Sequence, residues 1–280
     1  MPPAYIPSVR ARRLARSLRE YREAAGLTMA ATAASFGWST AKVGHIESCR
    51  NKASVEDVAL MLGLYGVNSP ASAELLALAS EAERRNWWTD YVDLIDGPYI
   101  PLEDAASEID GWAPQVIPGL LQTQDYAREI FTAAAPDHVD EVERWLKVRM
   151  LRQTLLTRAQ DPPRVRVVLD EAVLERPIGG ADVMRDQLYR LAADARRPNV
   201  TIQILPKAIG THAGLEGGLI VLRFAEPADP DVGYHEGFHG ATYLERPQQV
   251  ARCNVAMERL RQDALTPQES AALIDAAAKR

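Results

Sequence analysis

LREYREAAGLTMAATAASFGWSTAKVGHIESCRNKAS, residues 18–54, decides the fold of the N-terminal region. A helix over residues 9–25 stops at Gly26; Val9, Leu14, Leu18 and Tyr21 fall at near-helical spacing, with arginines on the other face. Thr28 caps a short helix, MAATAASF, which Gly37 breaks before Trp38 in the turn. Ser39 caps a third helix, STAKVGHIES, and CRNK forms a polar loop. Ser54 with Asp57 makes a variant capping box for VEDVALMLGLY. Ser69-Pro70 places a cap and an N1 proline before ASAELLALASEAERRN. Short helices with no strand between them predict an all-α unit over residues 1–80.

Helix, tight glycine turn, helix within such a unit is the helix-turn-helix plan. Its third helix enters the major groove with N-terminal residues toward the base edges. The groove-facing candidates are Ser39, Thr40, Lys42, Val43 and His45. Lys42 suits guanine O6/N7 or phosphate, and Thr40 a thymine methyl or a base edge. Arg50 and Lys52, in the following loop, suit phosphate. Ile46 is expected in the core with Leu14, Leu18, Leu27, Phe36, Leu60 and Leu64.

Charge agrees with this division. Residues 1–52 carry nine Lys/Arg against three acids, a net +6, while the remaining residues carry 23 against 35, a net −12. A basic head on an acidic body predicts a head that meets polyanion. No apolar run approaches the roughly 18 residues that span a bilayer. The arginines of MPPAYIPSVRARRLARSLRE have no apolar stretch behind them, so no secretory signal is expected, and the expected location is the cytoplasm, on the nucleoid. Cys49 and Cys253 are the only cysteines, which excludes a disulfide framework or a cysteine-based zinc site.

Beyond the head, residues 81–96 read as a connecting helix, with Trp87 and Trp88 suited to an interdomain contact or to core packing. Proline and glycine punctuate residues 97–119. PQVIPGLLQT (114–123) reads as an apolar extended stretch leading into a Thr-capped helix; it is either a functional segment or a packed turn. A long helix is expected at about 138–160. RVRVVLDEAVL, NVTIQILP, GGLIVLRF and DVGYHEGFHGATYLE read as strand-rich. Residues 182–197 and 247–264 read as helical, and Thr266-Pro267-Gln268-Glu269 is a capping box opening a last helix. Helices and strands mix without strict alternation, which predicts an α+β body over residues 81–280.

The head resembles the Xre/Cro family of helix-turn-helix repressors, a five-helix, lambda-repressor-like fold, over about residues 14–65. The resemblance implies that Glu47 is an internal ion-pair partner of Arg19 or Arg22 and does not read DNA. It also implies DNA contacts from Thr28 and the residue after it. That residue is commonly Gln and is Met29 here, which puts one contact in doubt. Gly44 replaces a common polar residue; it either allows close approach to DNA or marks weakened binding. WWTDYVDLI, VIPGLLQTQDYAR, VRVVLDEAVLERPIGGADVMRDQL and RPNVTIQILP resemble actinobacterial antitoxin-like regulators that join such a head to a DUF5753 domain. This implies a transcriptional regulator whose body senses a ligand or binds a small DUF397-like protein. The alternative it leaves is an antitoxin-like protein-binding module with secondary DNA binding. Operator recognition by one short helix implies a homodimer on a pseudo-palindromic site.

HEGFH, residues 235–239, spells the His-Glu-x-x-His of a zinc peptidase, which also occurs fused to helix-turn-helix heads. A zincin needs the motif inside a helix. Gly233, Gly237 and Gly240 disfavour helix here, and Tyr234, Phe238, Thr242 and Tyr243 favour strand. On one strand His235 and His239 would stand about 13 Å apart. Glu258 is the one plausible distant ligand. A peptidase therefore stays the remote reading, and no catalytic residue, metal ligand or cofactor is assigned. Asp170, Glu171 and Glu216 read as charged surface.

Overall fold

The computed structural model describes residues 7–83, 86–95, 97–227 and 229–279. The chain forms two compact units, Met1–Ala105 and Ala106–Arg280. The divide falls later than the expected 80/81.

The first unit is all-helical: α1 (Val9–Ala24), α2 (Met29–Phe36), α3 (Thr40–Glu47), α4 (Val55–Leu64), α5 (Ala71–Glu83) and, after a one-turn 3-10 helix at Trp87–Tyr91, α6 (Tyr99–Ala105). Each of the first four opens on a hydroxyl that accepts the N3 amide: Ser8 from Ala11, Thr28 from Ala31, Ser39 from Lys42 and Ser54 from Asp57. Asp57 does not complete the capping box, because its carboxylate turns to Lys42. Pro70 precedes α5, which starts at Ala71. Leu14, Leu18, Val43, Ile46, Val58, Met61 and Leu62 form the core, with Leu27, Phe36 and Leu64 packed against it. Leu60, expected inside, is half exposed; α4 turns Val58, Met61 and Leu62 inward instead.

The expected connecting helix at 81–96 is not continuous, and residues 84, 85 and 96 lie outside the described set. Asn86 is extended (φ −89°, ψ 153°), which ends any helix before the tryptophans. Trp88 is buried, and the Trp87 indole donates to Asp104 within the same unit.

The second unit is built on a six-stranded mixed sheet in the order β3-β2-β1-β4-β5-β6: β1 (Glu108–Ala113), β2 (Arg164–Asp170), β3 (Val200–Leu205), β4 (Leu219–Arg223), β5 (Val232–Gly237) and β6 (Gly240–Leu244). The first three strands are parallel; β4, β5 and β6 add antiparallel. The parallel crossovers run through α7 (Gln124–Ala134) with α8 (Val139–Gln153), then through α9 (Gly180–Asp194). Helix α10 (Pro247–Asp263) contributes Cys253, Met257 and Leu260 to a core with Trp112, Val168, Leu205 and Val221. Helix α11 (Pro267–Ala278) opens on the complete Thr266/Glu269 capping box. It closes the outer edge of β3, where Ser270 Oγ accepts from the Ile204 amide and Ile204 O accepts from the Leu265 amide.

Three expectations for this unit change. Strand β1 lies where only punctuation was read. The long helix ends at Gln153 and passes through a 3-10 turn at Thr154–Thr157, ahead of a left-handed Asp161 (φ 48°) and two prolines that cannot continue a helix. Asp170 and Glu171 are not idle surface: Asp170 accepts from the Ala172 amide and Glu171 from the Lys207 amide. No helix of the described residues is long and apolar enough to cross a membrane.

Candidate nucleic-acid interface

The reading head is α2, its turn and α3. Gly37 takes a left-handed conformation (φ 66°, ψ 25°) that ends α2, and the Trp38 amide returns to Ala33 O at 2.9 Å. A β-carbon costs energy at that φ, so glycine fits this turn. Ser39 is extended and starts α3 at once. The inner face of α3 is held by Val43 and Ile46, both buried.

Behind α3 sits a charge pair. Arg22 Nε donates to Glu47 Oε1 at 2.7 Å and Arg22 Nη2 to Glu47 Oε2 at 2.8 Å, while Arg22 Nη1 donates to Leu27 O at 2.8 Å. The two side chains are 9% and 5% exposed. The hydrogen bond from Glu47 holds the Arg22 guanidinium above its ordinary pKa, against the opposing effect of burial. One bidentate pair therefore ties α1 to the end of α3 and fixes the helix that faces outward. Arg19, the other candidate for Glu47, pairs with Glu23 at the surface (2.9 Å).

The sequence-predicted DNA contacts fall into three groups. Thr28, Met29, Ser39, Thr40 and Arg50 are exposed and His45 is half-buried, all on or beside the outer side of α2 and α3. Val43 is fully buried in the core and cannot face a groove; its place in the 3.6-residue period aligns it with Ile46. Lys42 and Lys52 are engaged within the chain. Lys42 Nζ lies 2.8 Å from Asp57 Oδ1 and 3.6 Å above the Trp38 ring centroid. Lys52 Nζ donates to Glu83 O at 2.5 Å, at the C-terminal end of α5 where a cation meets the helix dipole. Among the described residues Arg50 has no ion-pair partner.

Residues that sequence reasoning passed over complete the surface. Ala41 on α3 and Ser48 at its C-cap are exposed, and Trp38 and Asp57 hold Lys42. Asp57 at N3 of the next helix was readable as an acid; its tertiary partner was not. Cys49 stands just past α3 in a left-handed conformation (φ 56°), and burial pushes its thiol up to about 11.

Two motifs singled out in the body have structural duties. VIPGLLQT is a turn strapped by glutamines: Gln153 donates to Gly119 O and Gln122 O, Gln187 to Leu121 O, and Gln122 to Ile117 O. Arg149 passes so close that a β-carbon at residue 119 would stand 2.4 Å from its Nη1, so any larger residue there must displace the Arg149 guanidinium. HEGFH is a β-hairpin, with His235 on β5 paired to Thr242 and Phe238-His239 at the turn. His235 Nδ1 hydrogen-bonds Gly218 O at 2.7 Å. The helix a zincin requires is replaced by strands, and among the described residues no group of three or more His, Cys, Asp or Glu is placed to hold a metal.

Comparison with protein families matches residues 13–76 to a helix-turn-helix domain and residues 97–276 to a domain of unknown function, DUF5753. No curated protein and no solved structure matches the chain. The capped turn, the buried Arg22–Glu47 pair and α3 all lie within the helix-turn-helix match, and the DUF5753 match covers most of the second unit and more than half of the chain. The chain belongs to the DUF5753 family and is a helix-turn-helix DNA-binding regulator that carries that domain after its DNA-binding unit.

Proposed function

We propose that the chain is a sequence-specific transcriptional regulator that binds a pseudo-palindromic operator as a homodimer, with the DUF5753 domain supplying the regulatory input. The observation that carries this reading is the outer strip of α3 and its C-cap, with Thr40, Ala41 and Ser48 exposed and His45 half-buried, held in place by the buried Arg22–Glu47 pair. The reading assigns Thr40 and His45 to bases, and Thr28, Ser39 and Arg50 to phosphate. It assigns no catalysis, cofactor or membrane association, and it places the protein in the cytoplasm on the nucleoid. Selection of bound duplexes from a random pool tests it. A recurring two-fold motif is expected, with affinity that falls steeply as salt rises. Binding with no sequence preference would reject it.

A second reading, a protein-binding module for a small DUF397-like partner, is favoured by one feature of the second unit. The edge of β3 is closed by Ser270 and Leu265, whereas β6 ends the sheet with Gly240, Ala241 and Thr242 exposed and the Phe238 ring entirely in solvent. An extended segment of a partner can add to such an edge. Co-purification of the small protein that is lost in a Phe238→Ser, Thr242→Lys chain supports this reading; unchanged co-purification rejects the edge as its site.

A further inference from the structure

We propose that this head reads DNA chiefly through thymine methyl groups, with Met29 and Gly44 forming one apolar reading edge and Lys42 held out of base recognition. The inference rests on the DNA-binding reading above and names the chemistry by which it selects sequence.

The first observation concerns Lys42, the one Lys or Arg in α3. A lysine that reads guanine must extend its ammonium to O6 and N7 in the groove. Here the ammonium is bound on two sides, by the Asp57 carboxylate at 2.8 Å and by the Trp38 ring at 3.6 Å. Both partners are fixed: Trp38 sits in the α2–α3 turn and packs 4.8 Å from Phe36, and Asp57 is at the capped start of α4. The ammonium is paired within the protein and drawn toward α4, with the side chain 39% exposed.

The second observation concerns what is left exposed. Met29 is the first residue of α2 and is 41% exposed, the one large apolar side chain so exposed on α2 or α3. Its sulfur lies 3.6 Å from where a β-carbon of residue 44 would stand, so the thioether reaches across from α2 onto α3. Because residue 44 is glycine, the helix surface beside that thioether is open to the depth of the backbone. Thr40, Ala41 and Gly44 share one face of α3 by helical spacing. The resulting strip presents the Ala41 methyl, the Thr40 methyl and the Met29 thioether, with the Thr40 hydroxyl and the His45 ring as its polar groups. Apolar groups distinguish bases in the major groove by contact with the C5 methyl of thymine.

The test uses the full chain and a duplex selected from a random pool, with each thymine replaced in turn by deoxyuridine. That replacement removes one methyl and leaves every hydrogen-bonding edge unchanged. Loss of one buried methyl contact corresponds to about fourfold in Kd. A loss of that size is expected at one or more positions in each half-site, and it should shrink to nothing at one of them in a Met29→Ala chain. A selected site in which no thymine is sensitive, or uracil effects that all survive undiminished in Met29→Ala, overturn the proposal. So does a change in the preferred base at a guanine when Lys42 is replaced by Gln. These failures leave duplex selection intact, whereas failure to select any duplex brings down the DNA-binding reading itself and this inference with it.

Discussion

Separating Arg22 from Glu47 should be among the most damaging single changes in the first unit. Glu47→Leu leaves the Arg22 guanidinium 9% exposed, with Leu27 O at 2.8 Å and Glu23 at 3.4 Å as its remaining partners. Breaking a buried pair by removing one partner costs about 3–5 kcal/mol, and the two surviving contacts put this case near 3 kcal/mol. Native-state hydrogen exchange on the full chain reads this directly: protection of the α1 and α3 amides should fall about a hundredfold. The double variant Arg22→Met, Glu47→Leu removes both charges and should cost much less than the sum of the singles, because no ion remains buried alone. A Glu47→Leu cost under about 1 kcal/mol, or a double variant that costs the full sum, would refute the reasoning.

Gly119→Ala should destabilise the second unit by about 1–3 kcal/mol, because Arg149 must leave Gln122 to clear the new methyl; calorimetry checks it, and an unchanged Tm counts against the strapped turn. The Cys49 thiol, pushed up to about 11 by burial, should carry about one-thousandth of its population as thiolate at pH 8 and react with iodoacetamide correspondingly slowly, rising tenfold per pH unit. Asp110 is buried, which pushes its carboxyl up, but hydrogen bonds from Arg223 and Arg166 outweigh that and hold it below the ordinary carboxylate range. The folded pKa is therefore depressed, so its contribution is complete above that range and lost as pH falls through the folded value. Asp110→Asn should flatten this acid limb in pH-dependent urea melts; an unaltered limb refutes the assignment.

What the sequence made legible was local. Thr28, Ser39 and Ser54 announce helix starts because a cap needs only a hydroxyl and the amide three residues on. The glycine spacing of HEGFH announced a chain that is not helical, and it is a hairpin. Strand β1 was hidden for the opposite reason. EIDGWA carries two acids and a glycine, and Asp110 is tolerable inside only because Arg166, Arg223 and Arg261 reach it from 56, 113 and 151 residues away. The candidate site divides likewise. Placing α3 followed from caps and period, but the capture of Lys42 by Trp38 and Asp57, and of Lys52 by the end of α5, depends on helices packing side by side. Val43 was misplaced because a short helix of mixed residues gives few apolar positions from which to fix its inner face.

The central claim, that α3 reads DNA, is tested most directly by the affinity of the full chain for its selected duplex against a scrambled one, in wild type and in a Thr40→Glu, His45→Glu chain. Neither residue belongs to the core, so the fold should persist. Two added negative charges at base-reading positions in the polyanionic groove should weaken specific binding by about a hundredfold or more and abolish discrimination between the duplexes. Retained discrimination in a folded double variant would contradict the account and move the reading surface away from α3.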